Sequence, residues 1–356
     1  MSLEVVAVPG IPEIREGDDL GAAIVSAVGA AGLVVAPGDV LVVASKVVAK
    51  AHGLRRYAPR DAVVDDETVR VIAERRTGDR VTRVVESAAG PVMAAAGVDE
   101  SNVGADGGVL LLPRDPDAAA ARLLAELRSA LGCAVDVPLG VVLSDTAGRP
   151  WRGGVVDFAL GSAGVTVVED HRGGVDADGR PLSVTVVAVA DELAAAADLV
   201  KAKSGALPVA IVRGLAWATA DPGARGAPGA PGALGASSLV RTGPGDWFRL
   251  GPVEAVREAL GVTPGSTDSE RIGIRSVGAD PVGERLGRVL RLALHGLEPD
   301  ATGTATEGGL TLEASDAYVL GRVVERAVVA AASEDLALVV TRASATMARL
   351  AVSALR

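Results

Sequence analysis

Short apolar runs dominated by valine recur along the chain, at residues 4–8, 40–43, 109–112, 141–143, 165–168, 184–189 and 209–212. Runs this short and this β-branched fit strands and are too short for helices. Between them, residues 19–30, 66–75, 117–131 and 191–202 carry helical spacing. In the first of these, Leu20, Ile24 and Val28 fall on one inward face. In the third, Asp117 after Pro116 is placed to act as an N-cap. Strands and helices do not alternate evenly. The pattern therefore predicts a mixed α+β architecture in preference to a regular doubly wound sheet.

The chain has 356 residues, which allows one large domain or two. Its character changes after about residue 250. Residues 254–260 read as a short helix, and 284–294 as a better one with Leu286, Val289, Leu290 and Ala293 on a face. A Gly/Thr/Glu-rich break at 300–309 precedes helical patterns at 317–332 and 343–355, which flank a strand-like 336–341. The division this predicts is a main domain over 1–250 and a smaller, mainly helical accessory domain over 251–356. Gly223, Gly226, Gly229, Gly232 and Gly235 recur every third residue. A triple helix needs far more triplets, so a surface loop is expected there.

Composition removes several function classes. The formal net charge is -10 and aromatics make up 2% of the chain, which argues against nucleic-acid binding by phosphate contacts or base stacking. One cysteine and three histidines leave little for a disulfide, a Cys-based zinc cage or His-centred catalysis. Carboxylates and hydroxyls must carry any chemistry. The N-terminal residues lack a basic start, and the uncharged stretch 20–38 holds four glycines and Pro37. The expectation is a cytoplasmic protein with no membrane span.

Three segments stand out as candidate sites. In the first, Ile11-Pro12-Glu13-Ile14 precedes an apolar run that ends in Ser45, Lys46 and Lys50. A hydroxyl and two ammoniums at a strand end can meet phosphates, although solvated lysines on a surface helix fit the same spacing. In the second, Asp99 and Asn102 can face one point, the Asp on a hard cation, or can simply cap a polar turn. In the third, Ser144, Asp145 and Thr146 follow an apolar strand and lead into a Gly/Arg-rich turn with Arg149 and Arg152. That edge either faces a ligand or forms an exposed β-turn.

Taken together and in order, these segments resemble the F420 γ-glutamyl ligases, the coenzyme F420-0:L-glutamate ligase family. The resemblance runs over about residues 8–250, with SDTAGRPWRGGVVDFALG as its strongest piece. GIPEIREGDDL, GDVLVVASKVVAKAHG, GVDESNV, DHRGGVDADGRPL, LPVAIVRGL and DWFRLG also match. The resemblance implies a GTP-dependent amide ligase that adds L-glutamate to coenzyme F420-0 and then extends a γ-linked tail. It implies the family's α+β fold, an intertwined homodimer and two divalent ions, manganese or magnesium, with K+ as a further candidate. Carried over by position, Ile11, Pro12, Glu13, Ile14, Ser45, Lys46, Lys50 and Asn102 would contact GTP. Asp99, Asp145 and Thr146 would be metal ligands, with Asp99 and Asp145 at the centre of catalysis. The stretch 201–208 would border the nucleotide, and there Lys203 stands where the family offers a Gln or Glu to the metal. A protonated ammonium cannot ligate a metal. That departure keeps open a non-ligating F420- or nucleotide-binding paralogue; a related ligase on another carboxylate is the other alternative. Residues 221–236 are a candidate lid, or an idle loop.

Overall fold

The structure is a computed structural model that describes residues 2–201, 205–219, 235–278 and 280–355. The chain divides into two compact units, Met1–Thr68 with Ser87–Arg241, and Val69–Glu86 with Thr242–Arg356. Among the described residues no helix is long and apolar enough to cross a membrane.

The first unit is built on a mixed five-stranded sheet. Its strands are β1 (Glu4–Ala7), β2 (Val40–Ala44), β3 (Gly140–Arg149), β4 (Arg152–Ala163) and β5 (Val209–Arg213), in the order β1-β5-β2-β3-β4. β2 and β3 run parallel, with Val40 opposite Gly140 and Ala44 opposite Ser144. The other neighbours are antiparallel. The helices packed on the sheet or leading from it are α1 (Leu20–Ala30), α2 (Ser45–Ala51), α3 (Pro116–Leu131) and α4 (Val189–Lys201); a further short helix spans Arg60–Asp66. Alternation assigns the two faces. Leu41, Val43, Val141, Leu143 and Ile211 pack with Ile24 and Val28 of α1 and Leu123 and Leu127 of α3. Val40, Val42, Val142, Ala210 and Val212 pack with Leu193, Ala194 and Ala197 of α4. A sheet covered on both faces explains strands that are apolar at every position. Each of these buried Val, Leu and Ile side chains contributes about 1.5–3 kcal/mol.

Local chemistry fixes the helix ends. Asp19 accepts a hydrogen bond from Ala22 N at 2.8 Å and starts α1, and Leu20, Ile24 and Val28 are buried as expected. α3 is capped by Asp115, which accepts from Ala118 N at 2.9 Å. The expected cap, Asp117, is one position inside the helix. Pro116 occupies the first helical position, so the residue before it takes the capping role. Asp117 instead accepts from Ser162 N of β4 at 2.8 Å.

β4 carries a bulge. Leu143 pairs with Gly161 and Ser144 with Ala159, which leaves Leu160 as the extra residue. Beside it, a Cβ added at Gly161 would lie 2.3 Å from the Pro116 carbonyl oxygen. Gly161→Ala is therefore expected to cost about 1–3 kcal/mol of stability by forcing α3 off the strand. A urea midpoint equal to that of the parent protein would contradict this packing.

Several sequence expectations are corrected. The expected helix at 66–75 is absent: a short helix ends at Asp66, and Thr68–Thr77 and Arg80–Ser87 are neighbouring strands. Gly78 and Asp79 form the two-residue turn between them, with Gly78 at φ +58°. Valine in 184–189 contributes only a two-residue strand, Val186–Val187, because Val189 already opens α4. The second unit is not mainly helical. Its sheet comprises β6 (Ala301–Thr306), β7 (Gly309–Ala314), β8 (Leu336–Ala343) and β9 (Met347–Leu355), antiparallel in the order β6-β7-β9-β8. It is accompanied by the helices α5 (Pro252–Ala259), α6 (Val282–Leu294) and α7 (Ala317–Ala332). Leu310, Leu312, Leu338 and Leu350 form one core with Leu286 and Val289 of α6 and Val323 and Ala327 of α7. The expected break at 300–309 is the β6–β7 hairpin, and the expected helix at 343–355 is largely β9.

Candidate active site

β2 and β3 end side by side, and in a sheet of this kind ligands bind beyond the carboxyl ends of parallel strands. At the end of β2 the chain turns directly into α2 at Ser45. β3 continues past the sheet as Asp145 and Thr146, paired only with β4. A cavity of about 620 Å³ opens there. Ile11, Pro12, Glu13, Ile14, Ser45, Lys46, Lys50, Asn102, Asp145 and Thr146 all line it. Segments far apart in sequence are thus brought to one place. Asp99 stands immediately behind, its carboxylate 2.8 Å from the Lys46 ammonium. Lys201, Ala206, Leu207 and Pro208 form another part of the wall. Lys203 and residues 221–234 of the candidate lid lie outside the described residues.

Among the described residues, the cavity lysines Lys46, Lys50 and Lys201 are each paired with a carboxylate. Lys46 bonds Asp99 and also donates to Ser101 Oγ at 2.8 Å. Lys50 Nζ lies 2.6 Å from Glu13 Oε1. Lys201 Nζ lies 2.7 Å from Asp157 Oδ2 and donates to Ser144 Oγ as well. Lys50 and Lys201 are buried while Glu13 is exposed, so Glu13 is the partner freer to move.

The carboxylates differ in their electrostatics. Burial pushes the Asp99 carboxyl up, but hydrogen bonds from Lys46 and Ser101 and the Lys46 charge outweigh it, so the net direction is down. For Asp157, burial is likewise outweighed by the Lys201 charge and by hydrogen bonds from Lys201, Thr146 and Ser144. Asp145 has no such compensation. Burial, reinforced by the negative charges of Asp99 and Asp157, pushes it up to about 6, against a backbone hydrogen bond from Thr146 and the more distant Lys46. A carboxylate held at that cost is a candidate functional group.

The donor set can be tested against the expected metals. Among the described residues no three His, Cys, Asp or Glu side chains converge as a metal cage. Asp99 and Asp145 are nevertheless hard oxygen donors within electrostatic reach of each other. Magnesium-type sites commonly use one or two carboxylates and complete their shell with phosphates and water. Those two residues fit one such ion. Thr146 follows Asp145 on a strand, so their side chains point to opposite faces. Its hydroxyl is committed to Asp157 Oδ1 at 2.7 Å.

Asp157 is the residue that sequence reasoning passed over. It sits inside the SDTAGRPWRGGVVDFALG segment, directly opposite Thr146 in the hairpin register. The Gly/Pro-rich turn between two strands was the available signal, because it folds residue 157 back onto residues 144–146.

Known proteins are similar to this chain in sequence. A coenzyme F420:L-glutamate ligase of Methanothermobacter thermautotrophicus is 39% identical over 240 residues, 61% of this chain and 91% of that protein. Proteins of the same name from Halorubrum lacusprofundi and Natronomonas pharaonis are 40% and 42% identical, each over 59% of this chain, and over 87% and 86% of their own lengths. The family model described as F420-0:Gamma-glutamyl ligase matches residues 10–214, a span that holds every lining residue of the cavity. With more than half its length matched, this chain belongs to the F420-0:gamma-glutamyl ligase family.

Proposed function

We propose that the protein is a cytoplasmic, GTP-dependent ligase that joins L-glutamate to coenzyme F420-0 and then adds γ-linked glutamate in coenzyme F420 biosynthesis. The observation that carries this reading is the convergence of Lys46, Lys50, Lys201 and Asp145 on one cavity of a family member, with Asp99 paired to Lys46 beside it.

A carboxylate and an amine do not condense unaided in water. In the proposed reaction a carboxylate oxygen of F420-0 attacks the γ-phosphorus of GTP, and GDP leaves. The α-amine of glutamate then attacks the acyl phosphate carbonyl, phosphate leaves with the bridging oxygen, and the nitrogen loses a proton. Phosphoryl transfer of this kind asks the protein for positioning and charge neutralisation. Lys46 and Lys50 would exchange Asp99 and Glu13 for phosphate oxygens. Ser45 and Asn102, both on the wall, would donate hydrogen bonds to the nucleotide, and Ile11–Ile14 would border it. Asp99 and Asp145 would hold a manganese or magnesium ion, which supplies neutralisation of phosphate charge when bound.

Homodimer assembly belongs to the same proposal. On the β3–β4 hairpin Trp151 is 83% exposed and Val155 61% exposed, beside exposed Arg149 and Arg152, a surface that a second copy would cover.

Incubation with GTP, L-glutamate, F420-0 and manganese tests the reading. Mass spectrometry is expected to find F420-0 extended by glutamate, with one GDP per bond formed. Folded protein that leaves F420-0 unextended would defeat it, and extension of a different carboxylate in a substrate panel would redirect it. Lys50→Ala is expected to weaken GDP binding about 10- to 100-fold, the size of a lost charge-assisted hydrogen bond. Calorimetry reading a change under twofold would remove Lys50 from the nucleotide site.

A further inference from the structure

We infer that this chain holds one divalent cation in its site and not two, because the ammonium of Lys201 fills the oxygen cluster where a second ion would sit. The inference rests on the nucleotide and metal reading of the cavity given above.

The cluster lies on the face of the β3–β4 hairpin opposite to Asp145. Asp157 supplies a carboxylate, and Ser144 and Thr146 supply hydroxyls. Ser144 Oγ is 2.9 Å from Asp157 Oδ2, and Thr146 Oγ1 is 2.7 Å from Asp157 Oδ1. A buried carboxylate with two hydroxyl oxygens beside it is the kind of hard donor group a divalent ion takes. Here that position is taken from within the chain. Lys201 is the last residue of α4, and it reaches Asp157 Oδ2 at 2.7 Å and Ser144 Oγ. Asp157 is 5% exposed and Lys201 6%.

This arrangement excludes a metal for two reasons. An ammonium is acceptor-free, so it cannot join a coordination shell, and its charge repels a cation placed beside it. Moving it away would break a buried ion pair and strand one partner without a counter-charge. Both carboxylate oxygens of Asp157 are also already in use, one by Thr146 and the other by Ser144 and Lys201. The second ion implied by the family resemblance therefore does not fit the residues present. Lys201 provides a fixed positive charge on the Thr146 side of the cavity, and the Asp99–Asp145 side takes the one exchangeable ion. Lys201 acts here as a positioning residue that replaces a metal.

The test is manganese stoichiometry on the full-length protein with saturating GDP, read by electron paramagnetic resonance. One bound manganese per chain is expected, with a spectrum of isolated ions that lacks spin–spin coupling. Two per chain with a coupled spectrum would overturn the inference and leave the ligase reading intact. No bound manganese would overturn both this inference and the assignment of Asp99 and Asp145, while GDP binding without metal would still report on the nucleotide site. Lys201→Met removes the ammonium and is expected to raise the stoichiometry from one to two. The double variant K201M/D157N is expected to return it to one. A K201M protein that still binds one ion would end the role given to Lys201. Should that variant fail to fold, the count on the parent protein decides the matter.

Discussion

Asp145→Asn is expected to abolish glutamate ligation and, at the same time, to stabilise the metal-free fold. The loss should be at least about a hundredfold in kcat, the scale seen when a group that neutralises developing charge is removed. The gain follows from linkage. Asp145 is pushed up to about 6 by burial and by the charges of Asp99 and Asp157, above its ordinary value near 3.8. Between those values the folded chain binds more protons than the unfolded chain, so stability falls as pH rises through this window. At neutral pH the penalty is complete, and a gap of this size corresponds to on the order of 2 to 3 kcal/mol. Asparagine has no charge to desolvate and escapes it. The same proton competes with the metal, so manganese affinity should rise with pH up to about 6 and then level off. Thermal melts of both proteins at pH 7.5 without metal, together with turnover assays, check the pair of effects. A variant with near-normal turnover would remove Asp145 from the site. A variant that melts lower would contradict the electrostatic account.

The second large effect is expected in the other unit. Glu334 is 0% exposed, and its carboxylate accepts from Arg257 Nη2 at 3.0 Å and from Arg288 Nη2 at 2.7 Å. Arg288 also bonds Asp280 at 2.7 Å, and both arginines are buried. Glu334 therefore links α5 and α6 at the point where α7 leads into β8. Glu334→Ala leaves two buried guanidiniums without that counter-charge. The expected cost is about 3–5 kcal/mol, the usual penalty for breaking a buried pair on one side. Urea denaturation followed by circular dichroism measures it. A loss below about 1 kcal/mol would mean that the arginines find other partners.

Much of the first unit was legible because its central strands carry unbroken apolar runs and α1 and α3 carry caps and apolar stripes. The run at 40–43 and the helix from Leu20 needed no tertiary information. The second unit was less legible for identifiable reasons. β9 reads Met-Ala-Arg-Leu-Ala, a sequence of good helix formers, yet it is a strand because β7 and β8 pair with it on both edges. β6 alternates exposed Thr302, Thr304 and Thr306 with more buried small residues, a period-two signal obscured by its glycine. The hairpin at 68–87 joins residues of the second unit to partners far along the chain, such as Arg75 to Glu254. No composition shift announces that.

In the site, Lys46, Lys50, Asp99 and Asp145 were all foreseen as candidates because each lies in one of the three polar motifs that stand out in the sequence. What sequence reasoning lacked was the pairing. Lys46 meets Asp99, and Lys201 meets Asp157 across 44 residues, contacts made only once the sheet has assembled. Those pairings matter chemically. They place the lysines in a pre-neutralised state, so under the proposed function phosphate would bind by exchange of partners.

Activation of a carboxylate by phosphoryl transfer moves one of its oxygens into phosphate, and an oxygen isotope follows that transfer. F420-0 labelled with 18O in its reacting carboxylate is turned over with GTP and L-glutamate, and the released phosphate is analysed by mass spectrometry. Attack of the carboxylate on the γ-phosphorus predicts that one labelled oxygen leaves in the phosphate for each amide bond formed. Amide formation with unlabelled phosphate would contradict the account.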